Sequence, residues 1–237
     1  MKILGLIPAR GGSKGVPRKN IRLLGGVPLL EWTVREALAT ALFPRVMVST
    51  ESEEIAAIAR NAGATVPFLR PDDLASDTAK SIDVVIHALA ELERLGETYD
   101  AVCLLQPTTP FRSASLIQAA IKKFSSGNYT GLVSVVEVPT HYNPYWTFIP
   151  NSNGDLKLAT GETKIISRRQ DLPPAFIRDG AIYLTKTEVI KHKNFFGDRL
   201  GYVSNHDQWQ VNIDSLADWE KAEEIVTAMR KSEDGKK

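Results

Sequence analysis

Residues 2–20 read KILGLIPARGGSKGVPRKN. The apolar run 3–8 carries no polar alternation, which is the pattern of a strand buried on both faces, as in a parallel sheet covered by helices. It opens directly into a loop with three glycines (Gly11, Gly12, Gly15) and four cations (Arg10, Lys14, Arg18, Lys19). Every charge before Glu31 is positive, since Lys2 and Arg22 complete the set. Backbone N–H groups in such a turn, flanked by Arg and Lys, can wrap a phosphate chain. The alternative is a solvated basic loop, but solvated loops rarely exclude acids while holding three glycines. The spacing fits neither the G-x-x-x-x-G-K-[ST] nor the G-x-G-x-x-G pattern.

The cations are a local feature. The chain has 237 residues with 29 Lys and Arg against 28 Asp and Glu, a formal net charge of +1. No global field therefore favours nucleic acid or an anionic membrane. The single cysteine, Cys103, excludes an internal disulfide framework and a cysteine-rich zinc site. It stands in the apolar run AVCLL, where a small buried hydrophobe is the expected role. No run approaches the roughly 18 apolar residues of a spanning helix, and the first apolar run is short for a signal peptide. The expected location is the cytoplasm.

Working outward, residues 29–40 have the period of a helix, 45–50 of a short strand, 52–63 of a helix and 64–70 of an extended piece. Residues 76–96 follow as a helix, 99–107 as a buried strand, 113–126 as a helix and 131–138 as a strand. This alternation predicts an α/β fold with a doubly wound, mostly parallel, Rossmann-like sheet. In such sheets ligands lie beyond the carboxyl ends of the strands, so the loops after 8, 50 and 106 are the places to search. The pattern breaks at 140–158, THYNPYWTFIPNSNGDLKL, which is aromatic, proline-rich and hairpin-like. Residues 180–185 and 209–213 read as further strands, 215–230 as a closing helix, and 231–237 as a frayed tail. Residues 1–237 are taken as one domain, with a β-rich lid or dimerisation excursion at about 140–175. The four histidines show no ligand spacing; His206 alone precedes a candidate site strand.

LIPARGGSKGVPRKN resembles the signature loop of the acylneuraminate cytidylyltransferase family of sugar-activating nucleotidyltransferases. RPDDLASDTAKSIDVVIHAL, LLQPTTPFR, RRQDLPPAFIRDGAIYLT and VNIDSLADWEKAE resemble later blocks of that family in the same order. The resemblance implies a nucleotide-diphospho-sugar transferase type of fold, transfer of a cytidylyl group from CTP to a 3-deoxy acidic sugar, and a homodimer. It assigns Arg10 and Lys19 to the triphosphate, Ala9, Gly11, Gly12 and Ser13 to loop contacts, and Asn20 to nucleotide or phosphate. Arg70 and the stretch from Asp77 to Ser81 match base and ribose contacts, although Ser76 or Asp77 is also a fair helix cap. Gln106 matches a sugar contact, and Arg168, Arg169 and Gln170 the segment that reaches the sugar carboxylate; a solvated charge pair is the alternative for the arginines. Asp179 stands where many relatives have Asn, placing a negative charge near the expected sugar pocket.

In V-N-I-D the chain departs from the family's D-x-D, which holds a divalent cation on two carboxylates. Asp214 is the expected ligand for Mg²⁺ (or Mn²⁺), with Asn212 contributing weakly or through water. Ser215 and Asp218 have the spacing of a capping box, which leaves Asp214 free for metal. The competing readings are another nucleotide or sugar, of guanylyl, Kdo or heptose type, and a catalytically weak nucleotide-binding homologue. Neither nucleic acid nor membrane is expected as a partner.

Overall fold

The computed structural model describes residues 1–234. It divides into two compact units: Met1–Ser134 with the chain from Asp179 onward, and Val135–Arg178. The first unit begins with β1 (Ile3–Pro8), all but its last residue buried. A short antiparallel pair follows, β2 (Leu23–Leu24) and β3 (Val27–Pro28). Then come α1 (Leu29–Ala39), β4 (Arg45–Ser49), α2 (Glu53–Asn61), α3 (Ser81–Arg94), β5 (Ala101–Leu104), α4 (Ala114–Ser126) and β6 (Gly131–Glu137). The second unit holds a hairpin, β7 (Phe148–Pro150) and β8 (Leu156–Leu158), paired antiparallel. The chain closes with β9 (Phe176–Lys186), α5 (Thr187–Lys191), β10 (Leu200–Ser204) and α6 (Leu216–Asp234).

The central sheet has six strands in the order β10-β6-β9-β5-β1-β4. β1 pairs in parallel with β4 on one side and β5 on the other, so that Gly5 faces both Val46 and Cys103 in register. β9 joins β5 antiparallel. The Rossmann-like α/β reading is thus the fold observed. The helices start where the local chemistry allows. Ser52 accepts the amide of Ile55 at the head of α2, and Ser113 that of Leu116 at the head of α4. Each satisfies one of the amides a helix start leaves unpaired. Glu53 and Glu54 in the first turn of α2 also complement its dipole.

Three expectations need correction. The helix expected from residue 76 begins at Ser81. Asp72–Ala75 forms a 3₁₀ turn instead, and tertiary charges then claim residues 75–77. Residues 209–213 are not a strand, although their alternation is real. Val211 and Ile213 are buried in a secondary core with Val16, Leu24, Trp219 and Val226, and Ile213 makes one backbone bond to Thr108 (2.8 Å) without a ladder. The sixth strand is Leu200–Ser204, whose sequence carries weak alternation. α6 runs into the expected tail as far as Asp234; the last three residues of that expectation lie outside the described residues. No helix among the described residues is long and apolar enough to cross a membrane.

Cys103 is wholly buried on β5, and burial pushes its thiol pKa up to about 12. A buried thiol that far above neutrality presents almost no thiolate. Cys103 is expected to resist maleimide in the native protein and to react stoichiometrically in denaturant, read by intact mass. Labelling of the native chain within minutes would contradict its placement.

Candidate active site

Three strand ends meet at one edge of the sheet. β1 runs into the glycine-rich loop, β4 into Thr50 and Glu51, and β5 into Leu105 and Gln106. Ala9 continues the pairing past β1 through its amide to the Ser49 carbonyl (2.9 Å). Between these ends lies a cavity of about 490 Å³. Arg10, Ser13, Lys14, Gly15, Lys19 and Asn20 of the loop line it, with Arg70, Asp77 and Ser81 from the next segments, Gln106 and Thr108 after β5, and Asp214. Residues separated by some 200 positions in sequence therefore share one wall. Ala9, Gly11 and Gly12 shape the loop without lining the cavity.

The cations are organised around anions. Asp77 receives Arg10 Nη2 at 2.9 Å and Lys14 Nζ at 2.7 Å, so two loop cations converge on a single carboxylate. Lys14 and then Arg10 hold the Asp77 carboxyl below its ordinary pKa. Asp77 is thus no helix cap; its carboxylate sits between these two cations. Arg10 is steadied further by the Ala75 carbonyl (3.3 Å), and its own carbonyl accepts the buried Asn20 amide (2.9 Å). Lys19 is mostly buried, donates to the Ile213 carbonyl (2.6 Å) and stands 3.5 Å from Asp214. Burial lowers its pKa, and Asp214 opposes that shift. Arg18 faces away and pairs with Glu54.

The glycines differ in what they permit. A Cβ on Gly12 would meet nothing within 4 Å, whereas one on Gly15 would lie 1.9 Å from the Asp214 carbonyl oxygen. Gly15 is therefore where the loop closes on the chain at Asp214. Gly11 corrects an expectation: its amide is not free for phosphate, because it donates to Glu51 Oε1 at 2.6 Å. Glu51 Oε2 also accepts from Arg70 Nη2 (3.2 Å).

On the acidic side, Asn212 donates its amide to Asp214 Oδ2 (2.5 Å). Its nitrogen, not its oxygen, thus faces the carboxylate. The capping box at the start of α6 forms in both directions. Ser215 N and Oγ donate to Asp218 Oδ2 (2.8 and 2.7 Å), and the Asp218 amide returns to Ser215 Oγ (3.3 Å). These bonds hold the Asp218 carboxyl below its usual pKa, Ser215 contributing most. Asp214 is left to face the cavity. Among the described residues no group of three His, Cys, Asp or Glu side chains is placed to hold a metal ion. Asp214 offers one carboxylate, which suits a cation that takes most of its oxygens from phosphate and water.

Asp179 and Asn212 line a second cavity of about 260 Å³, with Thr109, Arg112, Asn205 and Trp209. The Asp179 carboxylate is already met by Ser134 Oγ (2.5 Å), the Ala181 amide (3.0 Å) and Asn205 Nδ2 (2.7 Å). Its oxygens are therefore already hydrogen-bonded inside the fold. Arg168, Arg169 and Gln170 belong to the second unit. Arg168 pairs with Asp171 at 2.7 Å, while Arg169 and Gln170 border a cavity of about 340 Å³ beside Asn143 and Pro173. His206 does not line the main cavity. Sequence reasoning missed Glu51 and Arg112. The Arg112 guanidinium is buried and donates to Ala181 O, Thr33 Oγ1 and the Gln106 carbonyl, fixing the end of β5. Burial pulls its pKa down to about 10. Glu51 stood in the sequence as a charge just after a strand, and Arg112 as the last residue of the block LLQPTTPFR.

A mostly parallel α/β sheet with a basic, glycine-rich loop and two carboxylates, Asp77 and Asp214, around one cavity at its carboxyl edge is a nucleotidyltransferase type of architecture. Solved structures agree on the fold. A CMP:2-keto-3-deoxy-manno-octonic acid synthetase complexed with CTP matches with a TM-score of 0.72 at 15% identity, over 97% of this chain and 100% of that one. The sequence profile of the cytidylyltransferase family matches residues 4–234. A CMP-N,N'-diacetyllegionaminic acid synthase of Legionella pneumophila is 35% identical over 95% of this chain and 97% of its own length. A pseudaminic acid cytidylyltransferase of Campylobacter jejuni is 35% identical over 82% of this chain and 83% of its own. The chain belongs to the cytidylyltransferase family.

Proposed function

We propose that this enzyme transfers a cytidylyl group from CTP to a 3-deoxy acidic sugar of the nonulosonic class, giving the CMP-sugar and pyrophosphate. The observation that carries the reading is the convergence of Arg10, Lys14, Lys19 and Arg70 with Asp214 on one cavity. Relatives named for legionaminic and pseudaminic acids support the sugar class. A sugar hydroxyl attacks the α-phosphorus, and the bond to the bridging oxygen breaks as pyrophosphate leaves. Such a reaction needs charge neutralisation and in-line positioning more than covalent help. Arg10 and Lys14 exchange Asp77 for phosphate oxygens. Lys19, held by the Ile213 carbonyl, supplies charge at the Asp214 end. Arg70 and Ser81 border the nucleoside, and Gln106 orients the sugar. Arg168, Arg169 and Gln170 are assigned to the sugar carboxylate and substituents. Asp214, with Asn212 behind it, would hold a divalent cation, Mg²⁺ or Mn²⁺, which lowers the charge on the phosphates when bound. The proposed assembly is a homodimer through the second unit, where Tyr142, Ile149 and Leu156 are exposed, and the proposed compartment is the cytoplasm.

The test is pyrophosphate release measured with each of the four NTPs against a panel of acidic sugars. CTP with a nine-carbon 3-deoxy acid is expected to give the highest kcat/KM. Preference for GTP, or for an eight-carbon acid, would overturn the assignment. Asn212 motivates a second reading, a catalytically weak homologue. Adding a second carboxylate strengthens hard-cation binding, so Asn212→Asp is expected to tighten Mn²⁺ binding in the presence of CTP by about tenfold in calorimetry. Unchanged affinity would show that this position does not face the cation.

A further inference from the structure

Glu51 follows β4 and precedes the capping Ser52 of α2, so its place in sequence reads as part of a helix start. The structure gives it a different job. Its backbone is fixed on both sides: the Thr50 carbonyl accepts the Arg70 amide (2.9 Å), and Ser52 N donates to Thr50 Oγ1 (3.1 Å). From this anchored point the carboxylate divides between the glycine-rich loop and Arg70 of the cavity wall. Oε1 takes the Gly11 amide at 2.6 Å, and Oε2 takes Arg70 Nη2 at 3.2 Å. Glu51 itself is mostly buried and does not line the cavity. Gly11 directly follows Arg10, and Arg70 does line it.

We infer that Glu51 is a positioning residue of the nucleotide site, locking the phosphate loop and Arg70 into one geometry. The inference rests on the nucleotide reading given above. Two physical arguments carry it. The Arg70 side chain is 3% exposed and its Nε has no hydrogen-bond partner among the described residues. A buried guanidinium without a counter-charge is strongly disfavoured, so the ion pair with Glu51 is what holds it in place. Arg10 and Arg70 also repel, since the charge of Arg10 works against that of Arg70. Glu51 offsets that repulsion through one carboxylate bonded to the loop on one side and to Arg70 on the other. The pocket thereby keeps two guanidinium groups close enough to serve one polyanion.

The experiment measures CTP binding by calorimetry, and KM and kcat for CTP, in Glu51→Gln, Arg70→Met and the double variant, with thermal unfolding as a control. Glu51→Gln is isosteric and keeps one acceptor. It is expected to weaken CTP binding and raise KM about tenfold while kcat changes less than threefold. On the Arg70→Met background the same change is expected to weaken binding less than threefold, because the two residues act as a unit. Equal CTP affinity in Glu51→Gln and the parent, with only a lower unfolding temperature, would reduce Glu51 to a structural residue and overturn the inference. So would effects that multiply independently in the double variant. Absence of CTP binding by the unsubstituted chain would overturn it together with the nucleotide reading, and is told apart because it appears before any substitution.

Discussion

Arg10→Ala is expected to lower kcat/KM for CTP by roughly 10²–10³-fold, about 3–4 kcal/mol of transition-state stabilisation. The reason lies in where the guanidinium points. Arg10 and Lys14 already share one carboxylate, Asp77, at 2.9 and 2.7 Å, so both reach a common anion without moving their backbone. A phosphate brings more charge than a carboxylate and accepts more bonds from an arginine fork. The loss should be catalytic and not a loss of fold. Asp77 is exposed and Arg10 partly so, and an ion pair of that kind is screened by solvent and adds little to stability. The Tm is therefore expected to stay close to that of the parent chain. Steady-state kinetics and a thermal melt on the same sample separate the two. Near-parental kcat/KM would remove Arg10 from the phosphate site.

Gly15→Ala is expected to be at least as damaging, through geometry alone. The added Cβ would lie 1.9 Å from the Asp214 carbonyl oxygen and 3.1 Å from its carbon. That neighbour is backbone and cannot rotate away. Nor can it readily retreat, because the Asp214 and Ser215 amides are both held by Asp218 (3.1 and 2.8 Å) and Lys19 grips the Ile213 carbonyl (2.6 Å). Either the loop or the segment carrying Asp214 must shift, and a displacement of about 1 Å at a reacting centre can cost on the order of 100-fold in rate. The expected result is a kcat/KM lowered by about 100-fold or more. Gly12→Ala is the control: its Cβ meets nothing within 4 Å, and activity should fall less than about threefold. Equal effects at the two positions would mean that loop flexibility, and not the approach to Asp214, is what the glycines provide.

Much of this was legible in the sequence because the signals were local. The unbroken apolar run 3–8 needs cover on both faces, and the loop after it excludes acids, so a buried strand ending in a basic loop followed directly. Asp214 was separable from capping because Ser215 and Asp218 had the right spacing to cap by themselves, and they do. Errors came where distant groups outbid local pattern. Asp77 has the chemistry of a helix cap, but the loop cations take it and the helix starts at Ser81 instead. Residues 209–213 alternate like a strand because every second side chain enters a core, and no neighbouring strand pairs with them.

The sequence by itself determined the α/β class, the acid-free, glycine-rich loop at the end of a buried strand and Cys103 as a buried hydrophobe. Each follows from residue type and near-neighbour spacing, and these act within a few residues along the chain. Only the tertiary structure decided which charges answer one another. It paired Glu51 with Gly11 and Arg70, Asp77 with Arg10 and Lys14, and Lys19 with Asp214, and among the three glycines of the basic loop it left Gly15 without room for a side chain. Electrostatic and steric contact depend on distance in space, and a carboxylate that lies 195 residues beyond Lys19 leaves no trace in the sequence around that lysine.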